Sequence, residues 1–82
     1  VSTNAVVARS RVRNAVCDLL ATGTWESWPV IVAAVSEYTG ATLEDAEGAI
    51  WRLWRAGIVD IRGRGQRRQV RSRSAVPEGE QP

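Results

Sequence analysis

At Gly57 the hydrophobic pattern of this chain changes period, and that change restricts the fold more than any other feature. Upstream, apolar residues recur every three or four positions; downstream, they recur every second one. From about Val6 to Ala21, Ala5, Val12, Val16, Leu19 and Leu20 fall on one side of a helical period, with Arg11, Asn14 and Asp18 opposite. Thr22-Gly23 ends this first helix, and Thr24-Trp25-Glu26 is a short extended stretch able to pair with a later strand. A second helix runs to about Tyr38. Ser27 is its N-cap, and Pro29 lies in its first turn, where a missing N–H costs nothing. Its buried face is Trp28, Ile31, Val32, Val35 and Tyr38. After the break at Thr39-Gly40-Ala41, Thr42 with Asp45 forms a variant capping box. The third helix then buries Leu43, Ala46, Ile50, Leu53, Trp54 and Gly57, turns Glu44, Asp45, Gly48, Arg52 and Arg55 away, and holds Trp51 at the boundary.

Beyond Gly57, Val59 and Ile61 face one way and Asp60 and Arg62 the other, before Gly63-Arg64-Gly65-Gln66 turns the chain. Val70 is the only apolar residue of the return strand, Arg67 to Arg73, so it must face the core. Arg68 and Ser72 share its side, while Arg67, Gln69, Arg71 and Arg73 face out. The expected fold is mainly α with a small β-hairpin, in one domain of residues 1–73, followed by a polar, disordered tail at 74–82. With no Phe and no Met, four Trp must supply most of the large core groups.

Six of the eleven basic residues, Arg62, Arg64, Arg67, Arg68, Arg71 and Arg73, lie in one stretch without an acid, giving +6. The whole chain is +2, so the remainder carries −4. A mildly acidic body with one concentrated cationic ribbon is the charge geometry of a polyanion binder. Every basic residue is Arg, whose planar fork suits phosphates and base edges. One cysteine, Cys17, excludes an internal disulfide, and a chain without His is a poor zinc ligand set. The longest apolar run, Trp28 to Val35, is far below the roughly twenty residues of a membrane span, and there is no secretory pattern. The expected compartment is the cytoplasm, with no cofactor and no metal.

The order helix, extended stretch, helix, tight turn, helix, basic hairpin resembles the winged helix-turn-helix family over about residues 5–73. Ala33 to Gly40 matches the second helix and its turn. Ile50, Leu53, Gly57, Ile58 and Val59 match the family's spacing at the end of the third helix. The resemblance implies a three-helix winged helix-turn-helix fold binding double-stranded DNA, with the third helix in the major groove and the hairpin, or wing, along the backbone or minor groove. Carried over by position, Arg52 and Arg55 are the third-helix contacts. Arg62, Arg64, Arg67, Arg68, Arg71 and Arg73 are the wing contacts, with Arg64 at the tip as the minor-groove candidate. Members include transcriptional regulators and phage or mobile-element accessory factors, often working as dimers, and helix one offers a face for a homodimer on DNA.

Glu44, Asp45 and Glu47 depart from that pattern, because they occupy the turns that would enter the groove. Acids there stabilise the helix dipole, and Glu can accept from a cytosine amino group, yet carboxylates near phosphates cost binding. The alternative reading is therefore a protein-interaction module whose acidic third helix meets a basic partner. The Trp pairs at 25/28 and 51/54 read as core, with Trp25 and Trp51 leaving room for a partner surface. Gly63-x-Gly65 reads as a hairpin turn, since no helix follows it. Cys17 reads as a small half-buried residue on helix one. No nucleophile and base assemble, so no catalytic residue is assigned.

Overall fold

The computed structural model describes residues 2–73, with side chains described from residue 9 onward. The order is α1 (Ser2–Leu19), β1 (Glu26–Ser27), α2 (Trp28–Thr39), α3 (Leu43–Arg55), β2 (Val59–Arg62), a 3-10 turn (Gly65–Arg67) and β3 (Gln69–Ser72). The tail at 74–82 and the Ala5 side chain lie outside what is described. Helix α1 starts earlier than the Val6 boundary because Ser2 to Ala5 contain no helix breaker.

The three strands form one antiparallel sheet in the order β1-β3-β2. Ile61 and Val70 sit opposite each other, as do Asp60 and Arg71, and Arg62 and Gln69. On the other edge Glu26 faces Val70 and Ser27 faces Gln69. Val70 is fully buried at the centre, so this solitary hydrophobe fixes the register: a one-residue slip would put Gln69 or Arg71 in its place. Ser27 occupies the N-cap of α2, but its hydroxyl makes no capping bond. The strand does that work, since the first helical N–H, at Trp28, donates to the Arg68 carbonyl at 2.8 Å.

Val12, Val16 and Leu20 of α1, Trp28, Ile31, Val32 and Val35 of α2, and Ala46, Ile50 and Leu53 of α3 meet Val59 and Val70 in a single core. Among the described residues no polar or charged side chain is buried. Thr42 caps α3 by accepting from the Asp45 N–H at 3.0 Å. At the other end, Gly57 adopts φ 78°, the Ile58 N–H donates to the Leu53 carbonyl, and the Gly57 N–H donates to that of Trp54. This is the Schellman closure that a glycine at this position permits. Gly57 thus terminates the helix, and it is not part of the buried stripe.

Three more residues expected in the core are exposed: Tyr38 at 76%, Leu43 at 56% and Trp54 at 45%. Small residues are buried instead, Ala49 at the other edge of the α3 stripe and Ala15 on α1. Alanine at a crossing lets helix axes approach, and that close approach shifts the buried sector of α3 away from Leu43 and Trp54. Cys17 is also exposed, where a half-buried place was expected. No helix among the described residues is long and apolar enough to cross a membrane.

Candidate nucleic-acid interface

The six arginines of the hairpin divide into three groups. Arg64 and Arg67 lie at its tip. Arg67 falls in the 3-10 turn and not on the return strand, because β3 starts only at Gln69. Gly63 makes this compact tip possible: its φ is 86°, and a Cβ there would lie 2.8 Å from the Arg67 carbonyl oxygen. Both tip arginines are exposed, and neither side chain has a hydrogen bond or ion pair among the described residues.

Arg62, Arg71 and Arg73 lie on the outer side of the sheet and are anchored there. The Trp25 ring carries Arg62 at 4.1 Å and Arg71 at 4.6 Å from its centroid. The Arg62 Nε donates to Gln69 Oε1 at 2.7 Å, across the strand pair that the register sets opposite. Asp60 takes the other two arginines: Arg73 Nη2 is 2.8 Å from Oδ1, and Arg71 Nε is 3.9 Å from Oδ2. Each contact is partly solvated and contributes little, about 0–1 kcal/mol for an exposed ion pair and a similar amount for an exposed cation–π contact. Their combined effect is to hold two guanidinium groups against one carboxylate and a third against Trp25 and Gln69, leaving a positive face.

Arg68 belongs to neither group. It sits on the core side, as alternation requires, with its guanidinium 5.3 Å from the Trp28 ring and 5.2 Å from the Trp51 ring. Trp51 in turn packs on Trp28, and Trp54 meets Trp51 edge-on, each pair with centroids 5.4 Å apart. This ladder ties α3 to the base of the hairpin.

On α3 itself, Arg52 and Arg55 are exposed in the last turn, where cations also suit the helix dipole. Arg52 folds back along the helix, its Nη1 lying 3.5 Å from where a Cβ of residue 48 would stand. Glu44 and Asp45 are exposed in the first turn. The acidic and basic ends of this helix are thereby separated along its axis.

The structure adds residues that the sequence did not single out for the site. Asp60 and Gln69 follow from the register once Ile61 is set opposite Val70, so that signal was present. Arg9 and Arg13 of α1 give no such signal, because only the crossing of α1 over α3 brings them beside Arg52, with which they line one shallow groove. In comparisons with known proteins, no family model, no curated protein and no solved structure matches the chain.

Proposed function

We propose that this protein binds double-stranded DNA as a winged helix-turn-helix module, serving as a small transcriptional regulator or an accessory DNA-binding factor in the cytoplasm. The observation that carries this reading is the hairpin. Its base is locked by Trp25, Asp60 and the Trp28–Trp51 pair, while Arg64 and Arg67 project from its tip without partners among the described residues. Such a lever presents exposed guanidinium groups on a braced mount, beside a helix that exposes Arg52 and Arg55. Binding, not catalysis, is the proposed activity, since the chain has no His or Lys and its carboxylates are scattered over helix and strand surfaces.

The test is duplex affinity across a salt series. Arg64 and Arg67, if each neutralises one phosphate, contribute about 0.9 each to the slope of log affinity on log salt. Alanine at both positions should flatten that slope by about 2 while leaving the fold intact. A wild-type chain that shows no salt-steep binding to duplex DNA defeats the reading.

One observation favours a second reading, a protein-interaction module. Leu43 and Trp54 are eleven residues apart, three helical turns, and so share an exposed flank of α3 that also carries Glu47. With Glu44 on the adjoining exposed face, that flank suits a partner with apolar and basic side chains. Loss of a protein partner on Trp54→Glu, with duplex affinity unchanged, would separate the two readings.

A further inference from the structure

We propose that a second set of arginines, Arg9 and Arg13 of α1 acting with Arg52 of α3, grips the nucleic-acid backbone on the flank of α3 that faces α1. This inference rests on the DNA-binding reading and extends its footprint.

Two shallow grooves run where α1 crosses α3. One is lined by Arg9, Arg13 and Arg52 over a floor of Ala49, Leu53 and Ile58. The other joins Arg9, Arg11 and Arg52 to the turn between α2 and α3, with Asp45 as its acid. Arg9 and Arg52 line both. All four arginines are exposed, and among the described residues none is hydrogen-bonded or ion-paired.

The placement relative to the hairpin follows from helix geometry. Trp51 faces the hairpin, because Arg68 lies over its ring. Arg52 is the next residue, about 100° further round the axis, and faces α1. Alpha-3 therefore lies between two cationic flanks, and its exposed face is where both converge. The free charge is also distributed differently from the charge in the sequence. Three of the six hairpin arginines are committed to Trp25, Gln69 and Asp60, and Arg68 to two Trp rings. Arg9, Arg13 and Arg52 are as unencumbered as the two at the tip. A polyanion tracking across α3 meets both sets, and a long phosphate backbone is the ligand that can span them. An acidic protein segment is the competing occupant, since the groove floor is apolar.

The experiment uses the full chain with a labelled 20-base-pair duplex and, separately, with polyglutamate, between 50 and 200 mM salt. For Arg9→Ala/Arg13→Ala the salt slope on the duplex should flatten by about 2, from two phosphates at about 0.9 each. Combined with Arg64→Ala/Arg67→Ala, the flattening should add, because the two sets lie on different elements and share no partner among the described residues. The thermal melt of each variant serves as the folding control, and exposed Arg to Ala within α1 should leave it unchanged. A wild-type slope in Arg9→Ala/Arg13→Ala, with the hairpin variant still flattened, overturns this inference and leaves the DNA-binding reading standing. Loss of polyglutamate binding by Arg9→Ala/Arg13→Ala with an unaltered duplex slope overturns it in favour of an acidic protein partner. Failure of the wild-type chain to bind duplex removes both the inference and the reading on which it rests.

Discussion

Trp28 and Trp54 have the same side chain and opposite roles. Trp28 is 3% exposed and joins α2 to the sheet through its ring, its backbone N–H and the Arg68 guanidinium above it. Trp54 is 45% exposed and touches the structure through the edge of Trp51. Truncating a buried Trp costs about 3–5 kcal/mol, which is most of the stability of a domain this small. Trp28→Ala should therefore be largely unfolded at room temperature. Trp54→Ala removes little buried area and should cost about 1–2 kcal/mol, retaining a cooperative urea transition. Equal losses in the two variants would show that Trp54 is covered in solution, and so that the α3 flank meets a partner or a second copy.

Helix α3 contains an unusual choice in its middle. Gly48 lies opposite the buried sector of Ala46, Ile50 and Leu53, and a Cβ added there would meet only the end of the Arg52 side chain at 3.5 Å. A glycine inside a helix costs about 0.5–1 kcal/mol relative to alanine, and nothing in the fold demands it. An approach by a partner's backbone is what a missing side chain on an exposed face allows. Gly48→Ala should raise stability by about 0.5–1 kcal/mol in urea and lower duplex affinity if this face enters the groove; stabilisation without any change in affinity would place α3 away from DNA. The elements themselves were readable from periodicity and turn residues: the break at Gly40 separated α2 from α3, the change of period after Gly57 marked the end of α3, Thr42 capped α3, and Val70 set the hairpin register. The buried edge of α3 was not readable. Trp54 and Ala49 lie at opposite edges of the apolar stripe; hydrophobicity favours burying the Trp edge, while the helix crossing buries the Ala edge. For the same reason Arg9 and Arg13 were invisible as site residues, since their neighbourhood is created by the crossing of α1 and α3.

The molecule keeps the forces that fold it apart from the charges proposed for its function. Among the described residues its core is wholly apolar, and the ion pairs at Arg71 and Arg73 gather at one partly solvated carboxylate, Asp60. Salt should consequently act on binding and folding with very different strength. Screening weakens the Asp60 pairs, worth at most about 1 kcal/mol, and at the same time relieves repulsion among the hairpin arginines, so the two effects oppose each other. Between 50 and 500 mM sodium chloride the melting midpoint should move by less than about 8 °C, the shift that 1 kcal/mol produces in a domain of this size. Over the lower part of that range, a duplex held by four or more phosphates should be released by orders of magnitude. A midpoint that falls steeply with salt, in parallel with binding, would mean that the arginine network at Trp25 and Asp60 carries the fold. The hairpin would then be a structural element whose charge serves the protein itself, and its claim to a polyanion would be lost.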